Sequence, residues 1–276
     1  MTVLFFLIVL SAGLPLAAPA AETRAEPPME VLQNVVIPDG EHLVVGQYTG
    51  SQKTGEIHAV TTYITKEVVK IYSFSWIYNN KDLPLPGHYT NYDYIFTVNL
   101  KTGRMIELNY DDTDYFVKRN KNRGLFYEDC KISNNSMNAV MKFWDGDDVR
   151  EKTFVIDEEN SSYPFWHYMP FLLVGARIFD WDKPGLVNIW QEYVKDPFPA
   201  NFQIIRKGVM IDTPLGSIKT TEVMPSIHIP LLAGILKQFT ESMKLWYEEG
   251  PRRRWIMFHI DTGDQTWLLE KSEIWQ

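Results

Sequence analysis

The feature that most constrains this chain is the alternation over residues 92–100. Tyr92, Tyr94, Phe96, Val98 and Leu100 fall on one side, Asp93, Thr97 and Asn99 on the other, and Ile95 alone breaks the polarity. Successive strand side chains point to opposite faces, so this pattern predicts a β-strand with one buried face. Runs of similar character recur at 43–48, 57–64, 68–76 and 104–110, and again at 202–211, 217–223, 243–248, 252–260 and 266–274. Short glycine-containing segments join several of them: Lys101-Thr102-Gly103, Asp212-Thr213-Pro214-Leu215-Gly216, Glu249-Gly250-Pro251 and Thr262-Gly263-Asp264. Alternating runs joined by such turns predict antiparallel hairpins.

Two segments lack the alternation. Residues 165–179 (FWHYMPFLLVGARIF) are apolar almost all round and predict a buried helix or helix pair kinked at Pro170. Residues 231–239, with Pro230 at the first turn, predict a short helix. The acidic stretch 111–162 reads as loops with two strands, around 139–144 and 152–156. The expected fold is therefore mainly β: a single curled antiparallel sheet, an open or half barrel of about ten or eleven strands, with one or two helices packed across its concave face.

The N-terminus places the protein. An apolar run, VLFFLIVL, leads through SAGLPLAAPA to Ala18-Pro19-Ala20, with alanine at −3 and −1 of a cleavage site. Residues 1–20 read as a cleaved Sec-type signal peptide, 21–40 as a flexible leader and 41–276 as one antiparallel β domain. The apolar run is too short for a membrane-spanning helix, which needs about 20 residues. Cys130 is the single cysteine, so no internal disulfide forms and no lipobox is present. The expected location is periplasmic or secreted.

Charge and motifs narrow the chemistry. The net charge of −8 and the lack of a basic stripe argue against nucleic acid. Arg252-Arg253-Arg254, beside Gly250-Pro251, reads as a solvated hairpin turn. There is no nucleophile elbow, phosphate-binding loop or dinucleotide fingerprint. The six histidines are scattered without metal-ligand spacing, and Asp145-Gly146-Asp147-Asp148 lacks the later positions of a calcium loop. His259-x-Asp261 reads either as an acid/base pair or as a cross-turn polar contact. The chain is accordingly expected to be no enzyme, with no catalytic residue, no metal and no cofactor.

What remains is apolar. Phe165, Trp166, Tyr168, Phe171, Leu172 and Leu173 cluster in one segment, and Tyr72/Phe74/Trp76 and Tyr94/Phe96 form aromatic stripes on strands. Two readings are open: an ordinary sheet-on-helix core, or a groove that takes a greasy ligand under a helical lid. On the second, the ligand-binding candidates are Tyr72, Phe74, Trp76, Tyr94, Phe96, Phe165, Trp166, Phe171 and Leu172.

The C-terminal half adds a resemblance. Residues Ile205-Arg206-Lys207-Gly208, Asp212-Thr213-Pro214-Leu215-Gly216-Ser217-Ile218-Lys219-Thr220 and Lys244-Leu245-Trp246-Tyr247-Glu248-Glu249-Gly250-Pro251-Arg252-Arg253 resemble the exported bacterial family called domain of unknown function 3108 (DUF3108), whose hallmarks are a T-P-x-G-x-x-x-T hairpin followed by an L-W strand and turn. Asp182-x-Pro184-Gly185 fits the same order, and the resemblance covers about residues 150–276. It implies a fold like that of periplasmic lipoprotein carriers, an open curled sheet with a hydrophobic groove, and supplies no catalytic residue. The functional expectation is a periplasmic, non-enzymatic protein that binds a lipid-like ligand or an envelope partner. An envelope scaffold with a packed core and a hydrolase of unknown substrate are the alternatives.

Overall fold

The computed structural model describes residues 29–77, 89–111, 124–133, 136–145, 148–157, 172–183, 185–189, 198–227, 243–261 and 263–275. The strands, in chain order, are β1 (Glu41–Thr49), β2 (Gln52–Tyr63), β3 (Val68–Ile77), β4 (Tyr89–Asn99), β5 (Arg104–Asp111), β6 (Gly124–Ser133), β7 (Ser136–Asp145), β8 (Asp148–Asp157), β9 (Val187–Ile189), β10 (Phe198–Thr213), β11 (Gly216–Ile227), β12 (Met243–Glu248), β13 (Trp255–Ile260) and β14 (Gln265–Ile274).

Among the described residues they form one fourteen-stranded sheet in the order β8-β7-β6-β5-β4-β3-β2-β1-β14-β13-β12-β11-β10-β9, antiparallel throughout. Within β1–β8 and within β9–β14, strands consecutive in sequence pair with each other. The remaining pairing, β1–β14, joins the run β1–β8 to the run β9–β14. The ends of the sheet are β8 and β9, so it is open and not closed into a barrel.

The fold class is the expected one, with more strands than the alternation made legible. In the acidic middle, the two predicted strands are present as β7 and β8, and β6 stands where loops were expected. GLFYEDCKIS carries charge beside apolar residues without a clean period, yet antiparallel pairing satisfies its backbone regardless of side-chain polarity. The Lys101-Thr102-Gly103 turn forms as predicted. Gly103 sits at φ +71° with its Cα against Phe179, where a Cβ would come within 2.9 Å of the ring, so only glycine meets both demands.

Most of the two expected helices lies outside the described residues. Residues 158–171 and 228–242, which include 165–171 and 231–239, lie outside the described residues. Of the first segment, the described part forms a short 3-10 turn, Gly175–Ile178. At the described end of this segment Phe179 pairs as an isolated bridge with Val31, and the Leu172 carbonyl accepts a hydrogen bond from the Tyr247 hydroxyl at 2.9 Å. Residues 29–37 are tied down and not a loose leader: Met29 N donates to Leu186 O, Leu32 N to Ile178 O and Val36 N to Pro251 O. Met29 and Ile37 are buried in the core.

One core cluster spans both runs. Leu43, Val45, Ile57, Ala59, Val69, Ile71, Phe96, Val98 and Leu108 meet Val223, Leu245, Tyr247, Ile256 and Leu269 around the Leu172–Trp181 segment. The sheet therefore wraps that segment on its inner side. Strict alternation on β2 (Ile57, Ala59 and Thr61 buried between part-exposed neighbours) assigns the inner face directly.

Candidate functional site

The inner face of β2–β5 forms a continuous wall. The registers Thr61↔Ile71, Ile71↔Phe96 and Phe96↔Leu108 set one row, and Leu43↔Ala59 and Ala59↔Ser73 set the next. Residues directly opposite in an antiparallel pair share a face. The wall is thus bulky at Phe96 and Leu108 and small at Ala59, Ser73 and Ser75. Ser73 is fully buried and Ser75 is 4 % exposed, and neither hydroxyl has a hydrogen-bond partner among the described residues. Buried hydroxyls are nearly always paired, so this orphaned pair in an apolar wall is unusual, although the buried indole N–H groups of Trp181 and Trp255 are also unpartnered among the described residues.

The structure separates the predicted ligand residues. Phe96 is buried on the inner wall opposite Ile71. Tyr72 and Phe74 lie on the other side of β3: Tyr72 is 40 % exposed, and Phe74 stacks on His58 at 4.5 Å. Alternation divides β3 into two faces but does not say which one is buried, and here the small aliphatic face (Val69, Ile71, Ser73, Ser75) turns inward while the aromatic one turns out. Trp76 and Tyr94 take register positions opposite Glu56 and Ser73. Leu172 is buried in the core beside Leu173 and Val174. Phe165, Trp166 and Phe171 lie outside the described residues.

The Leu172–Trp181 segment carries charge that hydropathy did not reveal. Arg177 is fully buried, and its Nη1 donates to Glu41 Oε2 at 2.5 Å while Nε and Nη2 donate to the Arg252 carbonyl. Arg252 Nη2 reaches the other Glu41 oxygen at 2.9 Å. Burial pulls the Arg177 guanidinium down from its usual range and Glu41 opposes it. Burial likewise pushes the Tyr247 phenol up. Arg253 lies over the Trp181 ring at 3.8 Å and donates to Phe179 O, and desolvation lowers it to about 10. Arg254 makes a two-bond fork with Glu248, at 2.7 Å each. The three consecutive arginines are therefore structural ties and not a solvated turn: each meets a specific acceptor or ring at the point where β12 and β13 join.

Beside Trp181 and Arg253 lies a cavity of about 510 Å³, walled by Asp182, Lys207, Lys219 and Glu249. Lys207 pairs with Asp182 at 2.6 Å, Lys219 with Glu249 at 2.9 Å, and Glu249 also accepts the Gly208 N–H. These pairs brace the β10–β11 hairpin against the body and satisfy one another. The other predicted polar pair is similarly engaged: His259 contacts Asp261 at 3.1 Å and Thr266 at 2.9 Å, and Asp261 is bound by Lys244 at 2.9 Å. Among the described residues no cluster of three or more metal-ligating side chains occurs, and no helix is long and apolar enough to cross a membrane.

No family model matches the chain, and no curated protein does. The DUF3108 resemblance thus rests on its quoted motif residues. Among solved structures, the chain is similar to a β-barrel-like protein of domain of unknown function DUF1849 from Brucella abortus, at 9% identity and a TM-score of 0.39, over 87% of this chain and 100% of that one.

Proposed function

We propose that this chain is an exported, non-enzymatic binding protein of the cell envelope, and that the inner wall of β2–β5 holds a lipid-like ligand. The observation that carries the reading is the buried, unpartnered pair Ser73 and Ser75 within an otherwise apolar wall. An unmade hydrogen bond of this kind costs about 1–3 kcal/mol, and an amphipathic ligand whose polar end reached these hydroxyls would offer the missing partner. Apolar contact would supply the affinity, at about 25 cal/mol per Å² of apolar surface buried. Export rests on the Ala18-Pro19-Ala20 site.

The test is native mass spectrometry of the protein from its own envelope fraction, with titration of a fluorescent fatty-acid probe. A co-purifying lipid, and probe binding weakened in Ser73→Ala/Ser75→Ala, support the proposal. The second reading, an envelope scaffold, is favoured by the packed Leu172–Trp181 segment. A clean apo mass with no probe binding selects it.

A further inference from the structure

The β1–β14 seam carries, on its outer side, a chain of titratable groups that the binding proposal does not use. His42 on β1 lies between two strands: its Nδ1 is 3.1 Å from Glu273 Oε1 on β14, and its Nε2 is 3.0 Å from His58 Nδ1 on β2. His58 Nε2 is in turn 3.4 Å from Glu56 Oε2. The cluster is covered. His42 is 3 % exposed, Trp275 packs on its ring at 4.0 Å, and Phe74 stacks flat on His58. The other charges facing it are Lys271, which binds Glu273 at 2.8 Å, and Lys53, which binds Glu56 at 2.5 Å and Glu270 at 2.7 Å; Tyr48 donates to Glu270.

The proton count follows from the contacts. Glu273 Oε1 accepts from Lys271 and from Trp275 Nε1 as well as from His42, and these donors hold its carboxyl down at about 2. It is therefore ionised at any ordinary pH, and His42 Nδ1 must carry a proton. The contact to Glu56 asks for a proton on His58 Nε2. Between the rings, the 3.0 Å contact is satisfied by one proton and broken by two, because two N–H groups would then face each other. With both rings neutral the four ring nitrogens carry two protons, and a third, which makes one ring a cation, is accommodated by the contact to Glu56. A fourth proton replaces a hydrogen bond with a contact between two cations. Burial acts in the same direction, holding both imidazoles below 6.5.

We propose that His42 and His58 form an acid-operated latch on the seam between the two runs of the sheet: with two or three ring protons they clasp β14, β1 and β2 together, and a fourth proton releases the clasp. The location matters because β1–β14 is the pairing that joins β1–β8 to β9–β14. No ligand is required, so the latch and the binding proposal stand or fall separately.

The sign is definite. The unfolded chain takes up the extra proton near 6.5 and the folded pair takes it up lower. The unfolded state therefore binds more protons in that interval, and seam stability falls as the pH drops below 6.5.

The experiment is imidazole ¹⁵N NMR and amide hydrogen exchange on the full chain from pH 8 to 4.5, with exchange corrected for intrinsic rates. In the wild type the two rings should titrate as a coupled pair, the last step below 6.5. Protection of the Leu43–Gly46 amides should fall with that step, about tenfold for each unit by which it is displaced. In His58→Gln a neutral carboxamide replaces the second cation, and the fall should shrink to what the burial of His42 alone leaves. A wild-type profile that is flat, rings that titrate independently at the ordinary value, or a His58→Gln profile as steep as wild type would overturn the proposal. If His58→Gln does not fold, the wild-type ring titration and seam protection decide alone.

Discussion

Arg177 Nη1 donates to Glu41 Oε2 at 2.5 Å, with both side chains fully shielded from solvent. Through Arg252 the same carboxylate also holds the turn before β13. One buried anion thus ties the first strand, the segment the sheet wraps and the C-terminal hairpin.

Removing one partner should be severe. Glu41→Leu strands two guanidinium groups, and Arg177→Met leaves Glu41 with Arg252 alone. Each is expected to cost about 3–5 kcal/mol, whereas the double variant should recover part of that loss because no unpaired ion remains. Urea midpoints of the three variants check this, and a double variant no better than the singles would contradict it.

The two faces of β3 and β4 should respond differently to truncation. Phe96→Ala removes a side chain 1 % exposed and is expected to cost about 3–5 kcal/mol in lost transfer energy and cavity. Tyr72→Ala, on the outward face, should stay within about 0.5 kcal/mol. Equal losses in thermal unfolding would mean the faces are assigned the wrong way round.

Gly103 and Gly216 separate strain from crowding. Both have positive φ, but a Cβ at Gly103 meets Phe179 whereas one at Gly216 meets open space. Gly216→Ala should cost about 1–2 kcal/mol for the backbone alone. Gly103→Ala should cost more, and its near-ultraviolet circular dichroism should report the displaced Phe179 ring.

Acid should weaken the β12–β13 hairpin through Glu248. Burial raises its pKa, but the Arg254 fork outweighs this and the net shift is downward from 4.5. A depressed carboxylate contributes stability that is present above 4.5 and lost as the pH falls through the folded value. Arg254→Met should therefore flatten the stability profile between about pH 5 and 3, most clearly at low salt. An unchanged acid limb in urea titrations would show that other carboxylates govern it.

The sequence by itself determined the class of fold. Alternation at 92–100 and the glycine turns at Gly103, Gly216 and Gly250 suffice for an antiparallel sheet, because strand periodicity and turn conformation are local properties of the backbone. It also made the strand pairs legible wherever one face was polar. It could not say which face of β3 turned inward, since Tyr72/Phe74 and Ile71/Ser73 are both compatible with burial until a packing partner is present. Nor could it find β6 in the acidic middle, whose pairing depends on backbone groups of its neighbours and not on its own polarity. The functions of Arg177, Glu41 and the arginine triplet, and the meeting of His42 with His58 and Glu273, were decided by tertiary structure alone. Those contacts join residues up to 231 positions apart, and a charge reads as a surface residue in sequence until the fold brings its counter-ion inside.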